Sequence, residues 1–273
     1  MSGGRPTPYP CDGQSHPLAH LSIPSEITGS GLLRRRGWRW WISRKILWLL
    51  FSIIRRQRHG RLTLEKVRGL PVIVIPGVFH PGLFLSTPLL LDALAGLRLG
   101  PNSSVLDLGT GTGVCAIFAA MRGARVTATD IGPLAIRCAR MNVALNDLED
   151  RVTVLEGDLF LPVEGHRFDL VVFNPPFYEG KPRDWAEYAW RGENVLDRFV
   201  QEVRGHLAEG GRALLSVSTE LDSFPIREEL RANGFEVREV CKRKIPGETM
   251  FVYECVPSPA GELFRSEKSG PGQ

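Results

Sequence analysis

Ser104–Gly113 reads SVLDLGTGTG, a short apolar run that meets an acid and then opens into three alternating glycines. A run rich in Val and Leu and closed by turn residues predicts a buried strand. The glycines permit a tight turn and close approach of backbone to a ligand, and a helix expected from Thr112 would present its free N–H groups there. Working outward, the same alternation continues. RVTATD is followed by a helix from Pro133; RVTVLEGD, FDLVVFN and RALLSVS are separated by a helix around 193–208, and a further helix around 222–233 precedes FEVREVC and ETMFVYECV. Strands alternating with helices predict an α/β fold with a doubly wound, mostly parallel sheet of seven strands, Rossmann-like, covered on both faces. The last two strands have no helix between them and are expected to pair antiparallel.

In such a sheet ligands bind outside the carboxyl ends of the strands. Asp107, Asp130, Asp158 and Asn174 close or directly follow four successive strands, so a binding site is expected there. Each aspartate read singly is equally a helix N-cap; the four together point to a ligand. A dinucleotide fingerprint would be Gly-x-Gly-x-x-Gly, whereas the third glycine, Gly113, comes one residue early and Val114 stands in its place. Asp107 would also repel a pyrophosphate. A cationic ligand without phosphate suits it better. S-adenosylmethionine carries an ammonium and a sulfonium, so Asp107 with Gly109, Thr110, Gly111 and Gly113 would cradle the methionine end. Asp130, followed by Ile131, would accept the ribose hydroxyls, and Asp158 with Leu159 would frame the adenine.

The stretch VVFNPPF, residues 171–177, stops a strand on two prolines, neither of which can donate to a ladder. Asn174 is therefore expected at a strand terminus in the extended conformation that Pro175 imposes. DLGTGTG, TATDI, EGDLF and VVFNPPF, in this order, resemble the class I S-adenosylmethionine-dependent methyltransferases of the branch with an Asn-Pro-Pro-aromatic motif. The resemblance covers roughly residues 78–256. VFHPGLFLSTPLLLDAL and AWRGENVLDRF resemble, within that branch, the HemK-type glutamine methyltransferases that modify polypeptide release factors. That resemblance implies a site in which the Asn174 side-chain oxygen and the Pro175 carbonyl accept the N–H bonds of a planar amide or amino group, while Pro176 shapes the turn and Phe177 packs on the group's flat face. It also implies that Ser86 and Thr87 close over the cofactor. Phe177 departs from the tyrosine usual in the family but keeps an aromatic face. The motif is shared by enzymes that methylate RNA or DNA bases, so a base amino group stays open as the acceptor beside a protein glutamine, and so does a membrane-associated small molecule if residues 34–61 meet a membrane.

The chain carries a net charge of +4, unevenly placed. Residues 34–61 hold nine arginines, one lysine and no acid, a local +10, which leaves −6 for the rest. An acidic body speaks against a general grip on phosphate backbones and favours a protein substrate. Residues 1–33 and 258–273 are rich in Pro, Gly and Ser and are expected to be poorly ordered, which leaves 62–257 as the catalytic domain. The arm RRRGWRWWISRKILWLLFSIIRRQRHGR, residues 34–61, has no counterpart in the resemblance. Its apolar run is too short to span a bilayer, but a basic, tryptophan-rich amphipathic helix suits an anionic membrane surface or the face of the catalytic domain. Five cysteines without Cys-x-x-Cys spacing suggest neither a disulfide framework nor a metal site. The N-terminus lacks the pattern of a secretory signal. A monomeric enzyme of the cytoplasm, peripheral to the membrane if the arm binds it, is the expectation.

Overall fold

The computed structural model describes residues 61–176, 178–182, 191–218, 223–245 and 248–258. Nearly all of the 34–61 arm, both expected tails save Ser258, Phe177 and the segment 183–190 lie outside the described residues. Among those described, no helix is long and apolar enough to cross a membrane.

Chain order begins with a hairpin, β1 (Thr63–Val67) and β2 (Leu70–Val74), then α1 (Ser86–Gly96), β3 (Ser104–Leu108), α2 (Val114–Met121), β4 (Arg125–Asp130), α3 (Pro133–Leu145) and β5 (Val152–Glu156). There follow β6 (Phe168–Phe173), two short strands β7 (Tyr178–Glu179) and β8 (Arg191–Gly192), α4 (Val195–Glu202), β9 (Leu207–Ser218), α5 (Ser223–Ala232), β10 (Phe235–Ile245) and β11 (Glu248–Pro257). The main sheet has seven strands in the order β10-β11-β9-β6-β3-β4-β5. Its four pairings from β9 to β5 are parallel, and only β11, inserted between β9 and β10, runs against its neighbours. The expected fold class and the antiparallel final pair are both observed.

Burial on both faces explains why the central strands read as apolar runs. Alternate residues of each strand feed two cores. Val105 of β3, Leu170 and Val172 of β6 and Leu214 of β9 join Leu89, Leu94 and Ile117 on the side of α1 and α2. Leu106, Leu108, Val171, Phe173 and Leu215 join Phe199, Ile226 and Leu230 on the side of α4 and α5. The phase matters for the site: Asp107, next to Leu106 and Leu108, must face the α2 side, and so must even-numbered residues just beyond the end of β6.

The β1–β2 hairpin was not expected from sequence. Its two-residue turn, Arg68-Gly69, has both φ angles positive, at 52° and 86°, the geometry that suits a tight hairpin. The hairpin is held to the body by Asn142 of α3, whose Oδ1 accepts from the Ile73 amide at 2.6 Å and whose Nδ2 donates to the Ile73 carbonyl at 2.7 Å and the Thr112 carbonyl at 2.9 Å. One buried amide thus ties the hairpin to the glycine turn. The helix expected from Thr112 starts at Val114. Cys115, Cys138 and Cys255 are free and buried.

Candidate active site

A cavity of about 320 Å³ lies at the carboxyl ends of β3, β4, β5 and β6, within the size range of small-ligand sites. Its wall includes Asp107, Asp130, Asp158 and Asn174, so the sheet brings together the four polar strand ends singled out in the sequence. Gly109, Thr110, Gly111, Ile131, Leu159, Pro175 and Pro176 line it as well. Gly113 does not. It caps α2 at φ 82°, and a Cβ there would stand 3.2 Å from the Ala139 Cα of α3. This glycine lets two helices pack closely behind the turn and does not touch the ligand space.

Asp107 is 5% exposed. Its Oδ2 accepts from Thr110 Oγ1 at 2.5 Å and from the Ala116 amide in the first turn of α2 at 3.0 Å. Burial nevertheless raises its pKa to about 7; the two hydrogen bonds pull it down and the nearby Asp130 pushes it further up. Burial likewise raises the pKa of Asp130, against hydrogen bonds that favour the carboxylate. Asp130 Oδ2 accepts from the Gly111 amide and its Oδ1 from the Gly132 amide, each at 2.8 Å. The carboxylate therefore spans from the glycine turn to the start of α3. The Ile131 amide also bears on the carboxylate, which has about four lone-pair sites in all. Cys115, beside Asp107, has its thiol pKa raised well above the usual value by burial and by that carboxylate, so it is inert as a nucleophile.

Asp158 follows β5 and is ion-paired, Arg198 Nη1 of α4 donating to its Oδ2 at 2.8 Å. The arginine was not foreseen. It ties α4 to the adenine-framing corner and occupies one of the two oxygens expected to serve a ligand. Leu159 adopts φ 46°, a left-handed conformation that costs a branched side chain about 1–3 kcal/mol, and it is buried at the cavity wall.

Asn174 leaves β6 at the point where Pro175 and Pro176 end the strand. Its amide is held at both ends: Ser216 Oγ of β9 donates to Oδ1 at 2.5 Å, and Nδ2 donates to Ser86 Oγ at 3.2 Å. Ser86, whose resemblance-based role was to close over the cofactor, is fully buried and bonded to Asn174 instead. Thr87 does line the cavity. Phe173, the residue before Asn174, lies under the glycine turn, with its ring 3.4 Å from where a Gly109 Cβ would stand. His80 is buried, with Nε2 3.5 Å from Glu65 Oε1.

The residues present fit S-adenosylmethionine. Asp107, buried, and Asp130, half-buried, are carboxylates whose ionised forms burial disfavours, and the charge of Asp107 gains from a cation and would lose from phosphates. The glycine turn leaves room at Gly111, where the nearest atom to an added Cβ is 4.0 Å away. A cavity that places Asp107 beside the glycine turn, where a dinucleotide would lay its phosphates, suits a cationic nucleoside. On this sheet that defines the S-adenosylmethionine-dependent methyltransferases.

The chain belongs to the methyltransferase small domain family, whose model matches residues 69–244. It is 30% identical over 196 residues to a protein named as an N5-glutamine methyltransferase in Methanocaldococcus jannaschii, covering 68% of this chain and 95% of that one. The release factor glutamine methyltransferase of Neisseria gonorrhoeae is 31% identical over 214 residues, covering 68% of this chain and 77% of that one. Of several other curated relatives, ribosomal RNA and ribosomal protein methyltransferases, the chain spans less than half the length. Among solved structures, a Thermus thermophilus 16S rRNA N2 G1207 methyltransferase in complex with AdoMet and guanosine shares the fold at a TM-score of 0.53 and 24% identity, over 72% of this chain and 50% of that one. The protein is an S-adenosylmethionine-dependent methyltransferase, as the motifs implied.

Proposed function

We propose that this enzyme methylates the side-chain amide nitrogen of a glutamine in a protein, with a polypeptide release factor as the first acceptor to try. The observation that carries this reading is Asn174, an amide pinned at the cavity wall beside two prolines, where a planar N–H group can be received. Similarity to enzymes named for glutamine methylation supports the same choice, and so does the acidic charge of the chain outside residues 34–61.

When bound, S-adenosylmethionine supplies an electrophilic methyl group on a sulfonium. The chain's own part is to hold and orient. Asp130 would accept the ribose hydroxyls through the lone pairs that the backbone amides leave open, and Asp107 would face the charged methionine end. An amide nitrogen is a poor nucleophile because its lone pair is delocalised. Asn174 Oδ1 and the Pro175 carbonyl, by accepting its two N–H bonds, would fix the plane of the group and favour positive charge gathering on nitrogen. Orientation and electrostatic preorganisation then do the work, with no strong base needed before attack. Proton loss follows transfer. Acceptors of this kind are found where proteins are made, and the proposed location is accordingly the cytoplasm.

Incubating the enzyme with methyl-labelled S-adenosylmethionine, purified release factor and, separately, ribosomal RNA tests the reading. Label on a release-factor glutamine is expected. Label in RNA alone would replace this acceptor with a base amino group.

A further inference from the structure

We infer that Ser216 of β9 is a positioning residue for methyl transfer, which acts by fixing the direction in which the Asn174 amide faces; the inference rests on the role proposed above for Asn174. An asparagine amide turns about a broad, roughly two-fold torsion. In one orientation it offers an oxygen to an incoming N–H bond, and in the other it offers N–H against N–H. The site works only if this choice is made before the acceptor arrives.

The sheet register makes it. Phe173 of β6 pairs with Leu215 of β9 in parallel, so Asn174 lies one step beyond the last ladder pair, level with Ser216. Both fall on the α1 side, the face of Val172 and Leu214, and α1 brings Ser86 to the same place. Ser86 and Ser216 are each 0% exposed, so water is not available to replace either bond. The two serines take opposite parts: Ser216 Oγ donates to Oδ1, and Ser86 Oγ accepts from Nδ2. Asn174 Oδ1 therefore points toward β9 with one lone pair taken by Ser216 and the second left for the acceptor. A bond accepted from a buried hydroxyl also polarises the amide.

Ser216 does not line the cavity, so its removal should leave cofactor binding intact and lower turnover. Ser216→Ala is expected to bind S-adenosylmethionine with the wild-type Kd and to lose about tenfold to a hundredfold in kcat, the range for loss of one orienting hydrogen bond. KM for the acceptor should change by less. Ser216→Cys keeps the volume with a weak donor and should lose nearly as much; it serves if the alanine variant folds poorly.

The direct test needs no acceptor. The side-chain NH2 signals of Asn174, assigned by their loss in Asn174→Ala, are recorded by NMR in the wild type and in Ser216→Ala or Ser216→Cys. Two sharp signals, slow to exchange with solvent, are expected in the wild type, with averaged or fast-exchanging signals in the variant. Signals unchanged by either substitution would overturn the inference, whatever the acceptor proves to be. Wild-type activity on RNA alone would instead sink the proposed substrate and leave the amide clamp standing.

Discussion

Replacing Asp130 by asparagine changes one atom and should weaken cofactor binding far more than it weakens the fold. The carboxylate accepts from the Gly111 and Gly132 amides, both at 2.8 Å, and its remaining lone pairs are the ones assigned to the two ribose hydroxyls. A hydrogen bond to a charged acceptor is worth about 1.5–3 kcal/mol and one to a neutral acceptor about 0.5–1.5. Neutralising the group therefore costs about 1–1.5 kcal/mol per hydroxyl, or about 2–3 for the pair. At 1.4 kcal/mol per tenfold, the Kd for S-adenosylmethionine should rise about 30- to 140-fold. The new NH2 group must also face one glycine amide, donor against donor. In the free protein that conflict is partly offset, because burial already disfavours the ionised carboxylate. Isothermal titration with S-adenosylmethionine measures the first quantity and a melting curve the second. A Kd within threefold of wild type would refute the assignment of ribose to Asp130.

Asn174→Ala should keep cofactor affinity and cut turnover about a hundred- to a thousandfold, since orientation and charge stabilisation are lost together; unchanged turnover measured under saturating acceptor would remove Asn174 from the mechanism. Asp107, with a pKa raised from 3.8 to about 7, binds more protons folded than unfolded between those values. Its contribution to the stability of the free protein is therefore fully present below pH 3.8 and is lost as pH rises through about 7. Cofactor affinity should move the opposite way, falling as pH drops below about 7 and the carboxylate becomes protonated, and Asp107→Asn should flatten that profile in titrations across the range. Gly113→Ala meets a left-handed φ of 82° and the α3 backbone at 3.2 Å. A cost of about 2 kcal/mol predicts a melting temperature lower by about 4–8 °C for a domain of this size, and an unchanged melting curve would mean that the helices give way.

The strand ends were legible because each central strand is buried on both faces and so reads as an apolar run cut off by a polar residue. Asp107, Asp130 and Asn174 stand out against Val105, Ala128 and Val172 for that reason. Other features leave no such mark. The β1–β2 turn uses Arg68-Gly69 where Asn-Gly would have signalled a hairpin, and Pro71 inside β2 argues against a strand. The start of β9 reads as a turn because Gly210 and Gly211 lie within it, next to a shift in the pairing with β6 between Phe168 and Leu170. Gly113 belongs to the motif by spacing yet serves helix packing, a distinction only the position of Ala139 reveals. Ser216 and Arg198 are 42 and 40 residues from their partners Asn174 and Asp158, and pairings of that range follow from sheet register and helix placement. The one local hint was in RALLSVS, where Ser216 and Ser218 are polar residues in the buried end of the strand.

The central claim is tested most directly by transfer itself. Wild-type enzyme with labelled S-adenosylmethionine and release factor, followed by peptide mass spectrometry, should show one added methyl on a glutamine side chain, absent with Asn174→Ala. Tight cofactor binding without any label on the factor, or label on ribosomal RNA alone, would contradict the account.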